Sequence, residues 1–314
     1  MEIGGYLEME SFSGQEYHEQ LIAVNNARCA LLYLLKARGI KELHVPYYLC
    51  ESVVNLCKRE GYSVSFYHIG TDFLPLFPKE LEDGAWIYIV NYFGRLNNDC
   101  LRKMQKRWGR IIVDNVQAFF QKPLPGVDTV YSCRKFFGVP DGGYVSTDAV
   151  LSSALEIDVS KDRMKHILGR FEGCASDYYA DFKANDHGFV QQPLRYMSEL
   201  THNLLRAIDY DAVRAKREEN YAVLENAFGN KNRLRTAMPI GPYCYPLYCE
   251  NGMAIKKKLA EKKIYVPTLW PNVLTMEGTL EKDFAENILP LPCDQRYSTH
   301  DMNYMIQEVL SCIN

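Results

Sequence analysis

Six short apolar runs constrain this chain more than any other feature: ELHVP (42–46), SVSFYHI (63–69), WIYIVNYFG (86–94), RIIVD (110–114), DTVYS (128–132) and GGYVST (142–147). Each is bounded by Pro, Gly or Asp, is rich in β-branched or aromatic residues and is too short for a helix, so each reads as a strand. Helical stretches lie between them. In NNARCALLYLLKARG, the residues Ala27, Ala30, Leu31, Leu34 and Leu35 form one stripe, Asn25 or Asn26 is the N-cap and Gly39 the stop. Leu49 to Gly61 and Asn98 to Trp108 read the same way. Strands that alternate with helices are joined by crossovers, which predicts an α/β fold with a mostly parallel sheet sandwiched by helices. From about Asp209 the texture changes to a long polar helix, YCYPLYCE, another helix, KKIYVPTLW and a last helix after PLPCDQRYSTHDM. The expected organisation is a large domain over 1–208 and a smaller α+β domain over 209–314, with no internal repeat.

Composition removes several function classes. A net charge of −3 gives no electrostatic case for nucleic acid or for an anionic membrane. The opening MEIGGYLEMESF lacks the basic flank and apolar core of a signal peptide, and no run approaches the roughly 20 apolar residues of a membrane span, so a cytoplasmic protein is expected. The ten cysteines are scattered without a CxxC pair, which favours buried reduced thiols over a disulfide framework or a metal site. None of the histidines at 18, 44, 68, 166, 187, 202 and 300 stands at metal-ligand spacing from another. There is no GxGxxG after the first strand, no Walker A sequence, no GxSxG and no HExxH.

Three features survive: an acid, Asp114, closing the run RIIVD; a lysine, Lys135, on a turn 21 residues later; and the start of a helix at NARCAL. Parallel strands aim their carboxyl ends at the ligand crevice, so Asp114 is placed to meet something bound. Pyridoxal 5'-phosphate (PLP) needs an amine for its aldehyde, a carboxylate beside its ring nitrogen and a cradle of N–H donors for its phosphate, and these three features supply them. The bland alternatives are a solvated turn lysine, a helix-capping Asp and a surface Arg28.

The segments NARCAL, VPYYLCESVVNLCKREGYSVSFYHI, VNYFG, VDNVQAF and SCRKFFGVPDGGYV, in that order and at that spacing, resemble the DegT/DnrJ/EryC1/StrS family of fold type I PLP-dependent sugar aminotransferases. The later stretches DYDAVRAKREENYAVL, EKKIYVPTLWP and LPCDQRYSTHDM resemble that family's small domain. The resemblance implies Lys135 as the Schiff-base lysine, Asp114 as the partner of the pyridine nitrogen, and Gln117 at the ring face or phenolic oxygen. It places Ser132 and the amides of Ala27 and Arg28 at the phosphate, where Arg28 could add a charge, and Tyr48 or Cys50, with Tyr92 as a further candidate, where an aromatic group would stack on the ring. It also implies a homodimer and small-molecule substrates: glutamate as amino donor and a nucleotide-linked keto sugar as acceptor, in surface polysaccharide or secondary-metabolite synthesis.

Two departures bear on the substrate. The chain is short for the family, trimmed between Ser146 and Asp209, and there the usual GxNxR stretch, which lends an Asn to the neighbouring subunit's phosphate site, is missing. DHGFVQQPLRYMSEL, with Gln191, Gln192 or Arg195, is a candidate stand-in. A PLP enzyme with another reaction, or a catalytically silent regulatory relative, are the competing readings; a dehydratase of this family has His in place of the Lys, which Lys135 argues against.

Overall fold

The computed structural model describes residues 3–77, 80–235 and 237–313. In chain order its elements are β1 (Ile22–Val24), α1 (Ala27–Ala37), β2 (Glu42–Pro46), α2 (Glu51–Arg59), β3 (Ser63–Ile69), β4 (Pro75–Leu76), β5 (Ala85–Val90), α3 (Asn98–Trp108), β6 (Ile111–Asp114), β7 (Asp128–Ser132) and β8 (Gly143–Ser146). Then follow α4 (Lys165–Glu172), α5 (Tyr179–Gly188), α6 (Glu199–Arg206), α7 (Tyr210–Phe228), β9 (Tyr245–Tyr248), α8 (Gly252–Glu261), α9 (Leu280–Asn287), β10 (Ile288–Leu291) and α10 (Thr299–Ile313).

The eight-stranded sheet runs β1-β8-β7-β6-β5-β2-β3-β4. Its five central strands, β7 to β3, pair in parallel, and the antiparallel pairs are confined to the flanks. Strands covered on both faces have no solvent side, and β6 and β7 are accordingly buried along their whole length. The helix that packs over β7 and β8, α1, is tied down at both ends. At its head Asn26 Oδ1 accepts from Cys29 N (2.9 Å), the capping contact its sequence position suggests. At its tail Arg38 donates two 2.8 Å hydrogen bonds to Asp128 at the start of β7. Gly143 on β8 lets the head of α1 come close: a Cβ there would lie 2.7 Å from Asn26 C and 2.8 Å from Ala27 N. The smaller lobe pairs β9 with β10 antiparallel and packs α7, α8 and α10 around them on Tyr221, Leu224, Phe228, Leu247, Leu289 and Met302.

Two sequence expectations need correction. WIYIVNYFG is not one strand: β5 ends at Val90, because Asn91 Oδ1 accepts from Leu96 N (2.8 Å) and folds Tyr92–Gly94 into a 3-10 turn. The second strand of the small sheet is Ile288–Leu291, hidden in the sequence by two prolines nearby, while KKIYVPTLW contains no strand. No helix of the described residues is long and apolar enough to cross a membrane. All ten cysteines are free thiols, and the described residues hold no His/Cys/Asp/Glu group suited to a metal ion.

Candidate active site

β6 delivers Asp114 to the carboxyl edge of the sheet, where the side chain is 8 % exposed. Its Oδ1 accepts from Val116 N and its Oδ2 from the Tyr88 hydroxyl on the adjacent β5, both at 2.8 Å. The residues that follow are turns, not a helix, so Asp114 is not a helix cap. Burial pushes its carboxyl above the usual range, against the pull of those two hydrogen bonds and of Lys135. A carboxylate has about four lone-pair positions, so a further donor can still be accepted.

β7 ends at Ser132 and leads into the turn that carries Arg134 and Lys135. The turn is anchored because Phe136 and Phe137 bury in an aromatic cluster with Phe119, Phe120, Tyr131 and Tyr144. It is also gripped from the smaller lobe. Arg217 of α7, 1 % exposed, stacks on Phe136 and donates to Phe136 O (3.2 Å), Pro242 O (2.8 Å) and Gln295 Oε1 (2.8 Å), while Gln295 Nε2 donates to Phe136 O at 2.8 Å. Lys135 itself is exposed, with its amine within electrostatic reach of Asp114, Tyr243 and Cys50. Its Nζ lies 5.4 Å from the centroid of Tyr243. Tyr243, with Cys50 and Asp114, holds the amine above its usual value against the opposing effects of burial and of Arg134.

The third component is the head of α1. The amides of Ala27 and Arg28 have no acceptor among the described residues, as expected of the first turn of a helix. Ser132 pairs in the sheet with Gly143, the residue that abuts Asn26 and Ala27, so its hydroxyl stands beside that helix end and has no partner among the described residues. Gln117 spends its Oε1 on Phe93 N (2.8 Å), fixing that residue in a left-handed conformation with φ 57°, and leaves its Nε2 without an acceptor among the described residues.

The remaining sequence candidates divide. Tyr48 is wholly buried, packed on Tyr92, Trp270 and Phe284 with its hydroxyl unpartnered, and presents no ring face to the cleft. Tyr92 is buried in the same cluster, its hydroxyl donating to Tyr48 O (2.6 Å). Cys50 is exposed at the head of α2 and is close enough to act electrostatically on Lys135 and Tyr88. Of the stand-in segment, Arg195 pairs with Glu156 (3.1 Å) and Asp158 (3.6 Å), and the segment lies on its own chain: Asn25 N donates to Arg195 O and Asn25 Nδ2 to Pro193 O, both at 3.0 Å. Tyr88, Tyr243, Arg217 and Gln295 are site residues that the sequence reading does not find. None of them belongs to a local pattern, since each acts through a strand neighbour or across lobes. Two surface cavities, of about 190 and 370 Å³, are lined by none of Ala27, Arg28, Asp114, Ser132 and Lys135.

No family model matches this chain, and no curated protein matches it in sequence. Solved structures do match. A DegT DnrJ EryC1 StrS aminotransferase from Brucella abortus is 17 % identical, with TM-score 0.62 over 94 % of this chain and 86 % of that one. DesV of S. venezuelae, solved with a ketimine intermediate, is 18 % identical, with TM-score 0.66 over 96 % and 90 %. Spr1654 of Streptococcus pneumoniae, described as a sugar aminotransferase and solved in a PLP form, is 16 % identical, with TM-score 0.66 over 96 % and 92 %. The chain therefore has the fold of these aminotransferases over nearly its whole length.

Proposed function

We propose that this protein is a PLP-dependent aminotransferase of the DegT/DnrJ/EryC1/StrS kind that moves an amino group from an amino acid such as glutamate to a keto sugar carried on a nucleotide. The observation that supports it best is that Lys135 and Asp114 lie within electrostatic reach of each other at the carboxyl edge of the sheet, beside a helix end and a serine hydroxyl with unused donors. The donor set suits PLP: Lys135 for the aldehyde, Asp114 for the ring nitrogen, Gln117 Nε2 for the ring oxygen, and Ala27, Arg28 and Ser132 for the phosphate. When bound, PLP supplies an electron-withdrawing ring that makes the carbon bearing the substrate's amino group acidic.

The chain's own groups do the rest. Asp114, buried and held by Tyr88 and Val116, offers a fixed negative charge at one point of the cleft. Lys135, once its amine is free, can take a proton from a substrate carbon and return it nearby. Arg217 and Gln295 hold its turn through the Phe136 carbonyl, so the lysine's position depends on the smaller lobe. Gln117 fixes the Phe93 turn above the same strand ends. The exposed apolar side chains Leu168, Phe171, Tyr179 and Phe182 on α4 and α5 support a homodimer, with small molecules as the other partners.

The test is spectroscopic. Purified protein mixed with PLP should develop visible absorbance that L-glutamate bleaches with stoichiometric release of 2-oxoglutarate. Nucleotide-linked keto sugars should then restore it. Absence of any PLP-dependent absorbance would sink the cofactor reading, and bleaching that no keto sugar reverses would sink the acceptor.

A further inference from the structure

Beside the head of α1, three guanidinium groups converge on one buried phenyl ring. The Cζ atoms of Arg28, Arg134 and Arg163 lie 6.0, 4.3 and 5.3 Å from the ring centroid of Phe189, which is 2 % exposed. Arginine stays charged in such surroundings, so three cations share this small volume.

The three carboxylates nearby, Asp158, Asp141 and Asp186, are shared unevenly among them, and Asp158 also serves Arg195. Arg163 donates to Asp158 Oδ2 at 2.6 Å, with Asp141 farther off at 3.9 Å, while its buried Nε has no partner among the described residues. Arg134, next in sequence to Lys135, meets among the described residues only Asp186, at 3.5 Å, which is long for a charge-assisted bond, and Asp186 is itself half exposed. Arg28 has no carboxylate within ion-pair distance among the described residues. Burial, and then repulsion from Arg28 and Arg163, weakens the hold of Arg134 on its proton despite the attraction of Asp186.

The other groups at this place are donors as well. They are the amides of Ala27 and Arg28, the hydroxyl of Ser132, and the Nδ2 of Asn26, a residue 4 % exposed whose Nδ2 has no acceptor among the described residues. The backbone of Pro193 and Arg195 closes the same corner by hydrogen bonds to Asn25, one residue before that cap. A corner of unused donors, with Arg28 unpaired and Arg134 only weakly paired among the described residues, suits a compact dianion with several oxygens. A phosphate monoester is that group.

We infer that the guanidinium group of Arg134 joins Arg28 in binding the phosphate of the cofactor, supplying from within one chain a donor beyond the helix amides, Arg28 and Ser132. The inference rests on the cofactor reading above. It makes Arg134 a phosphate ligand whose removal is felt by PLP and not by pyridoxal, the same ring without the phosphate.

The experiment titrates wild-type apoprotein, Arg134→Leu, Arg134→Lys and Arg28→Leu with PLP and with pyridoxal, following ligand absorbance, with inorganic phosphate as competitor and melting temperature as the folding control. A charge-assisted hydrogen bond is worth ~1.5–3 kcal/mol, so either Leu variant should bind PLP about 10–100-fold more weakly. Pyridoxal affinity should change less than about threefold on the same scale. Arg134→Lys should recover part of the loss, and inorganic phosphate should compete against PLP in wild type more strongly than in Arg134→Leu. Equal losses for PLP and pyridoxal, or undiminished PLP binding in the folded variants, would overturn the inference alone. Failure of wild type to bind PLP would remove the cofactor reading and this inference with it.

Discussion

Replacing Asp114 by Asn separates a ligand-binding acid from a structural one, because the two roles predict opposite signs for stability. The carboxylate accepts from Val116 N and Tyr88 Oη at 2.8 Å each. An asparagine can keep both contacts, with its Oδ1 toward Val116 and its Nδ2 donating to the tyrosine oxygen. Each bond then falls from the ~1.5–3 kcal/mol of a charged acceptor to ~0.5–1.5 kcal/mol. Against that loss, the substitution removes a buried charge whose desolvation costs several kcal/mol.

The raised carboxyl value fixes the balance: the folded state binds the Asp114 proton more tightly than the unfolded chain, so ionisation destabilises the fold as pH rises above the ordinary 3.8. Asp114→Asn apoprotein should therefore melt at or above the wild-type temperature at pH 7, and the difference should shrink as pH falls toward 4. Catalysis should move the other way. A carboxylate about 3 Å from a ring nitrogen at an effective dielectric of about 20 contributes at most roughly 5 kcal/mol. Losing even half of that slows the glutamate half-reaction by about a hundredfold. Stopped-flow absorbance gives the rate and calorimetry the stability. A variant that melts well below wild type at pH 7 and turns over at the wild-type rate would show that Asp114 only shapes its turn.

Three further outcomes are expected. Gly143→Ala should lower the melting temperature and weaken PLP binding, since the new Cβ would meet backbone atoms of Asn26, Ala27 and Tyr131 at 2.7–2.9 Å; overpacking of this kind costs ~1–3 kcal/mol, and unchanged PLP affinity would dissociate β8 from the helix end. Arg217→Lys should cut kcat more than it raises KM, with a shifted pH profile, because the Phe136 carbonyl loses one of its two donors; a pure loss of stability with intact kinetics would contradict a positioning role. Burial pushes the Glu16 carboxyl up, but hydrogen bonds from His202 and Tyr144 and the nearby Arg206 prevail and hold it below 4.5. Its stabilisation is then fully present above that value and lost as pH falls through the lower folded value, so Glu16→Gln should cost stability at pH 7 and progressively less as pH falls below 4.5, read from melting curves.

Local patterns carried the sequence reading as far as local physics reaches. Asn26 and Gly39 bound α1 because capping involves only neighbouring residues, and RIIVD and DTVYS are strands because their apolar runs are short and bounded. Asp114 and Lys135 were legible as a pair because the parallel sheet delivers both to one edge. Tyr48 was misjudged for a physical reason: one ring in an aromatic-rich turn can face the core or the cleft, and Trp270 and Phe284, distant in sequence, draw it inward. The grip of Arg217 and Gln295 on Phe136 spans 81 and 159 residues and leaves no periodic trace. The short helices α4 and α5 evaded the reading because α5 has little apolar asymmetry and their apolar residues Leu168, Phe171 and Tyr179 stay exposed.

The central claim is that Lys135 is the residue to which the cofactor attaches. Borohydride reduction of the PLP-loaded protein, followed by peptide mapping, measures that directly. A pyridoxyl group on Lys135, abolished in a folded Lys135→Ala variant, is the expected result; a pyridoxyl group on another lysine, or none on a protein that has bound PLP, would contradict it.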